Sequence, residues 1–155
     1  MSSEQDEGSG AGIDFSTARG RDYPSVRQFN VFVENRVGNL LGVVRRFEVT
    51  DIRIVSLTVV DSADCAIIRM VLSDPERAKE VFEHHNLPHT ESDLLVVGLP
   101  EGNQPLVQIC KALLGAEISI HYAYPLMIGP HGHSGLALHV EDHETAAQTI
   151  SRLGF

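Results

Sequence analysis

The sequence predicts an α+β fold of two tandem ferredoxin-like βαββα(β) units, with antiparallel sheets and helices packed on one face. Alternating apolar residues, typical of strands, and 3.6-residue periodicity, typical of helices, follow each other in the order β-α-β-β-α. That order occurs twice along the chain. A constant offset aligns the two copies and pairs Leu40 with Leu106 and Ile54 with Ile120.

The chain divides into three segments. Residues 1–25 are rich in Ser, Gly, Glu and Asp, lack periodicity, and predict a mobile tail. Residues 26–92 form the first predicted unit and residues 93–155 the second. Because units of this size have only marginal cores, we expect the two units to pack against each other.

Composition excludes several classes of protein. Hydrophobic residues make up 43% of the 155 residues, which is enough for a packed core. The longest apolar runs are too short to span a membrane, and the acidic N-terminus lacks the features of a secretory signal. A net charge of −9 disfavours nucleic acid. We therefore expect a cytoplasmic protein without membrane or nucleic-acid partners.

The first unit shows its elements clearly. Asp74 is a predicted N-cap, with Pro75 at the first helical position. The predicted elements are a strand at 28–34, a helix at 40–47, strands at 52–60 and 66–72, and the helix that follows Asp74.

The second unit repeats this pattern but ends after its last helix. Its elements are a strand at 93–99, a helix at 106–115, strands at 118–124 and 135–140, and a helix capped by Asp142. Residues 88–92 offer the first unit a fourth strand, whereas the second unit has none of its own. The apolar strand 93–99 lacks the lysine or proline that protects an exposed edge, so either the first unit or a second chain should cover it.

The stretch VENRVGNLLGVV, residues 33–44, is a candidate binding site. A strand passes into a helix there, and helix starts carry unpaired N–H groups and partial positive charge that suit a carboxylate. Gly38 permits a tight turn and close approach of a ligand, while Asn35 and Asn39 offer both donors and acceptors. The alternative is that these residues only shape the turn.

Residues 31–82 resemble an ACT domain, a regulatory module that binds small molecules in amino-acid metabolism. The resemblance rests on a strand followed by a Glu-Asn-x-x-Gly-x-Leu helix start, a small acidic turn and a strand ending in Asp-Pro. These features are Glu34, Asn35, Gly38, Leu40, Asp61, Asp64, Asp74 and Pro75. Residues 26–155 are similar to small proteins made of two such units.

The resemblance implies a ligand, typically an amino acid, held between the first loop of one unit and the second strand of a neighbour. The implied residues are Asn35, Val37, Gly38, Asn39 and Leu40, facing Ile54, Val55 and Ser56. Val37 stands where many members have proline. In the second unit Gln104 takes the place of Gly38, so that site is expected to be degenerate or structural.

We therefore expect a non-catalytic regulatory protein without cofactors that forms a homodimer. One alternative is a dissociable regulatory subunit of a biosynthetic enzyme such as acetolactate synthase, since DIRIVSLTV is similar to the corresponding strand of that subunit family. Another is a metal protein or enzyme using the hairpin of His131 and His133, although no acidic or cysteine ligand lies nearby. Cys110, on an apolar helical pattern, is predicted to be buried.

Overall fold

The computed structural model describes residues 25–154, except for the side chain of His131. The predicted tail, residues 1–25, lies outside this part of the chain apart from Ser25, which begins the first strand. The strands are β1 Ser25–Glu34, β2 Ile54–Asp61, β3 Cys65–Leu72, β4 His89–Gly98, β5 Ile120–Pro125 and β6 Gly135–Val140. The α-helices are α1 Asn39–Val44, α2 Pro75–His84, α3 Pro105–Gly115 and α4 His143–Leu153, with 3-10 turns at Arg45–Phe47 and Pro130–Gly132.

The six strands form one antiparallel sheet in the order β2-β3-β1-β4-β6-β5. The predicted α+β fold with two ferredoxin-like units is confirmed, and the sheets of the two units are joined through the central pair β1 and β4. The start of β4 pairs with the middle of β1, His89 opposite Val31, and acts as the fourth strand of the first unit. Its end pairs with β6, Leu95 opposite Leu138, and acts as the first strand of the second unit.

Within the described residues, β4 is paired with β1 up to Leu95 and with β6 from Leu95 onward. The start of β1 pairs with it on one side, Ser25 opposite Leu95, and β6 pairs with it on the other. Of the two coverings predicted for residues 93–99, the one by the first unit forms at residues 93–95, where β1 pairs with β4. Leu95 and Val97 pack in the helix-side core of the second unit, while Leu94 and Val96 pack on the opposite face. Burial of both faces explains why this strand is apolar throughout.

The helices cover one face of the sheet and enclose two cores. In the first, the Phe82 ring lies 5.1 Å from that of Phe29 and 5.5 Å from that of Phe47, measured between centroids. In the second, Ile109 and Leu113 of α3 pack on β4 and β6. Cys110 is exposed, so its predicted burial is wrong: α3 buries only a narrow stripe and turns its other apolar residues outward.

The predicted caps start α2 and α4 in equivalent ways. The Asp74 side chain accepts a 3.2 Å hydrogen bond from the Arg77 amide, and the Asp142 side chain accepts one of 3.0 Å from the Thr145 amide. These bonds satisfy donors that a helix start otherwise leaves unpaired. Among the described residues, no helix has the length and hydrophobicity required to cross a membrane.

The sheet is curled so that its two edge strands meet at one end. The Ser56 hydroxyl donates a 2.6 Å hydrogen bond to the Pro125 carbonyl, and the Met127 amide donates one of 2.8 Å to the Val55 carbonyl. A third apolar cluster, which includes Val55 and Tyr124, fills this closed end of the concave face. The first and second units are thus joined both at the centre of the sheet and at its edges.

Candidate functional site

The loop between β1 and α1 has the backbone conformation that its glycine predicts. Gly38 is the N-cap of α1 and has φ +88° and ψ −7°, in the left-handed region that side chains with a Cβ disfavour. A Cβ built on Gly38 would meet no atom within 4 Å. The glycine is therefore required by its φ angle, and the space above it is open to a ligand.

The two asparagines of the loop use their side-chain amides within the chain. Asn35 Nδ2 donates to Asp61 Oδ1 at 2.6 Å and to the Ser62 carbonyl at 3.3 Å, which ties the loop to the turn between β2 and β3. Asn39 Nδ2 donates to the Glu34 carbonyl. These bonds fix the shape of the loop and use the amide nitrogens, so the side-chain oxygens can still accept hydrogen bonds.

The start of α1 itself is exposed. The first helical hydrogen bond runs from the Gly42 amide to the Gly38 carbonyl at 2.9 Å. In the described part of the chain, the amides of Leu40 and Leu41 donate no backbone hydrogen bond outside the helix. Val37 is fully exposed and Leu40 is 41% exposed. An anion could therefore reach these amides from solvent.

The other half of the predicted site lies elsewhere in the chain. Ile54 borders the helix-side core of the first unit, whereas Val55 and Ser56 are buried where the edge strands meet. The loop contacts Asp61, at the far end of β2. Five residues of strand, roughly 17 Å, separate Ser56 from Asp61. Within one chain, Ile54 lies beside α1, whereas Val55 and Ser56 are buried away from the loop where the edge strands meet.

Two cavities flank α1. One, of about 350 Å³, is lined by Phe32, Val33, Glu34, Arg36, Asn39, Gly42, Val43, Arg46 and Leu87. The other, of about 470 Å³, is lined by Leu41, Val44, Arg45, Phe47, Glu48, Ile52 and Ile54. Each cavity contains one predicted site residue, Asn39 in the first and Ile54 in the second. Both volumes fall in the range of small-molecule sites.

The first cavity has a basic side that the sequence analysis missed. Arg36 forms an ion pair with Glu34, and Arg46 forms none with any described residue. Arg46 lies about two helical turns after Asn39, so its place on the same face could have been inferred from helix geometry. The free guanidinium gives the cavity a positive charge that suits a carboxylate.

The alternative metal site at the hairpin of His131 and His133 lies between two strands that carry His121 and His139. The rings of His121 and His139 lie 5.3 Å apart between centroids, and His133 is exposed in the hairpin. Within the described residues, no three His, Cys, Asp or Glu side chains are grouped so that they could hold a metal ion.

A family model for the ACT domain pair matches residues 24–152. The chain belongs to the ACT domain pair family. The match spans all six strands and nearly all of α4, so this family accounts for the whole described fold. The resemblance noted in the sequence is confirmed, and the family match supports a regulatory, ligand-binding role.

Solved structures share the fold of this ACT domain pair. Protein BT0572 from Bacteroides thetaiotaomicron superposes with a TM-score of 0.75 at 18% identity, over 84% of this chain and 90% of that one. The ligand-free regulatory subunit of aspartate kinase from Thermus thermophilus gives 0.56 at 11% identity, over 84% and 93%. The regulatory subunit from Thermus flavus gives 0.52 at 12% identity, over 86% and 95%. No curated protein matches the sequence significantly.

Proposed function

We propose that this ACT domain pair is a non-catalytic, cytoplasmic regulatory protein that binds an amino acid at the start of α1. The observation that carries the proposal is the exposed helix start capped by Gly38, which lies beside the cavity lined by Asn39 and Arg46. The amides of Leu40 and Leu41 and the Arg46 guanidinium attract a carboxylate. The side-chain oxygens of Asn35 and Asn39 are acceptors that suit an ammonium group.

A second chain would complete this site. Val55 and Ser56 lie at the far end of β2 from the residue that the loop contacts, Asp61, so a β2 strand presented by another copy would supply this half of the site. A ligand held between two copies acts on whichever arrangement it binds more tightly. Binding would therefore be coupled to assembly.

Exposed apolar side chains on equivalent helices support a homodimer. On α1, Leu40 is 41% and Leu41 is 56% exposed. On α3, which the internal repeat aligns with α1, Leu106 is 48% and Leu114 is 75% exposed. Apolar surface grouped in this way is typical of an interface. A C2 homodimer, the commonest closed form, would cover one or both surfaces.

Calorimetric titration with each of the twenty amino acids tests the site. We expect one or a few to bind the wild-type protein, and Gly38→Val to abolish that binding because valine disfavours a φ of +88°. Gly115→Val is the matched control, since Gly115 also faces open space but has no positive φ. Unchanged affinity in a folded Gly38→Val protein would refute the proposal.

A second candidate role is that of a dissociable regulatory subunit of a biosynthetic enzyme. The exposed apolar surface of α3 favours it, because that surface would suit a larger partner as well as a second copy. Two structures with the same fold are described as regulatory subunits of aspartate kinase. Co-purification with an identified catalytic subunit whose activity changes on mixing would support this role. An unchanged activity would exclude that enzyme.

A further inference from the structure

The concave face of the sheet carries polar side chains that the proposed function does not use. We define the concave polar cluster as Arg69, Thr90, Ser92, Tyr122 and His139. In a flat sheet β3 and β5 would lie four strand spacings apart, roughly 19 Å. The curl instead places the Arg69 guanidinium carbon 3.8 Å from the centroid of the Tyr122 ring. Side chains from both units therefore meet here.

Arg69 is held in place without using its hydrogen-bond donors. Stacking on Tyr122 fixes the guanidinium through a cation–π contact, which leaves its five N–H groups available. Arg69 is only half-exposed, and within the described chain it forms no ion pair or hydrogen bond. Its cross-strand neighbours, Asn30 and Thr58, are neutral. The charge of Arg69 thus has no adjacent counter-ion on these strands.

Neutral donors lie on the other side of Asn30. Asn30 Nδ2 donates to Thr90 Oγ1 at 3.2 Å and to Ser92 Oγ at 2.9 Å. Each hydroxyl is used as an acceptor, so its own hydrogen remains free to donate. Asn30 is itself fixed by Gln28, whose Nε2 donates to Asn30 Oδ1 at 2.8 Å. The cluster is preorganised and rich in donors.

His139 completes the cluster. Its ring stacks on Tyr122 with centroids 4.8 Å apart and planes inclined by 6°. Its Nδ1 atom is buried and lacks a hydrogen-bond partner among the described residues. Burial lowers the pKa of His139, and the neighbouring His121 and Arg69 lower it further. A buried ring nitrogen without a partner is costly unless a bound group supplies one.

We propose that the concave polar cluster binds the carboxylate of a small organic acid, at a site separate from the loop of residues 35–40. The Arg69 guanidinium would take the carboxylate through paired N–H donors, and the Thr90 and Ser92 hydroxyls would donate to the same two oxygens, each of which accepts more than one hydrogen bond. The single positive charge of Arg69 among neutral donors suits a ligand with a single negative charge. The site depends on the curl of the sheet, since Arg69 and Tyr122 belong to different units.

NMR of the full-length protein tests this site with acetate as the probe, against chloride at equal ionic strength. We expect saturable shifts of the Arg69 side-chain N–H and His139 ring resonances, and an upward shift of the His139 pKa when acetate is bound. Arg69→Met should weaken acetate binding at least ~10-fold because it removes a charge-assisted contact. Arg152→Met is the matched control, since Arg152 is exposed on α4. It should bind acetate as the wild type does.

Further variants make each outcome decisive. Gly38→Val should leave the acetate shifts unchanged, which separates this site from the loop. If Arg69→Met does not fold, Arg69→Lys tests the proposal instead. Lysine keeps the positive charge but lacks the planar guanidinium group, so acetate should bind several-fold more weakly. Shifts that do not saturate, or that persist unchanged in either Arg69 variant, would overturn the proposal. Inorganic phosphate binding as tightly as acetate would overturn the assignment to a carboxylate.

Discussion

The Tyr124 hydroxyl donates a 2.6 Å hydrogen bond to the side-chain oxygen of Gln28 and so joins β5 to β1 across the concave face. Gln28 is completely buried, and its Nε2 also donates to the Tyr122 hydroxyl at 2.8 Å. Burial raises the pKa of Tyr124, so this phenol stays protonated and remains a donor. One glutamine therefore links the two units through both tyrosines.

Gln28→Leu should destabilise the protein strongly. The substitution leaves the two tyrosine hydroxyls without their buried partner, and each unsatisfied group costs about 1–3 kcal/mol. We expect the free energy of unfolding, measured in urea, to fall by about 2–4 kcal/mol in total. Gln148→Leu, at an exposed position of α4, should change it by less than about 0.5 kcal/mol. Equal effects of the two substitutions would contradict the buried network.

Loss of the Asp74 cap should weaken α2. The Arg77 amide would lose its acceptor in Asp74→Ala, with an expected cost of about 1 kcal/mol in the free energy of unfolding. Asp74→Ser retains a side-chain oxygen at the cap and should recover most of that loss. Thermal and urea unfolding of the two variants provide the comparison. A serine variant no more stable than the alanine variant would argue against capping.

Stability should fall as the pH drops below about 6.5, in part because of His139. Its pKa is lowered in the folded protein, chiefly by burial, so the unfolded chain takes up a proton at a higher pH than the folded chain does. Above about pH 6.5 both states are neutral at this residue and it has no effect. Urea unfolding at pH 7.5, 6.5 and 5.5 should show a smaller pH dependence for His139→Gln than for the wild type. His133→Gln, at an exposed site, should leave the dependence unchanged.

Light scattering at micromolar concentration should give about twice the 17.0 kDa chain mass. A specific interface buries well over ~1,000 Å², and Leu41 is expected to lie within it. Leu41→Asp should therefore shift the protein toward monomer. Leu153→Asp, a similar change at an exposed leucine of α4, should not. A monomeric wild type, with or without amino acids, would exclude the homodimer.

Local patterning was sufficient to predict most of the fold. The caps at Asp74 and Asp142 and the glycine at position 38 depend on neighbouring residues alone, and each is found where the sequence placed it. The alternation of residues 28–34 likewise indicated the strand that forms as β1. The exposure of Cys110 was missed because a helical pattern does not show how wide a stripe the sheet can cover.

The concave polar cluster could not be predicted from the sequence, because its side chains come together only when the sheet curls. Gln28 and Asn30 alternate with Phe29 and Val31, a pattern that normally indicates a solvent-facing side of a sheet. Only the curl buries them, by bringing Tyr122 from the opposite edge over β1. The separation of Asn35 from Ser56 likewise depends on the direction in which β2 runs.

Because β4 pairs with β1 of the first unit and with β6 of the second, both pairings constrain the number of its residues. A residue inserted between Ser92 and Asp93 would move one half of the strand to the opposite face of the sheet, since side chains alternate along a strand. Either the pairing with β1 or that with β6 would then present polar positions to a core. The tip of the hairpin at residues 130–133 lies between β5 and β6, outside the paired strands. Changes in chain length should accumulate there during evolution, while β4 keeps its number of residues.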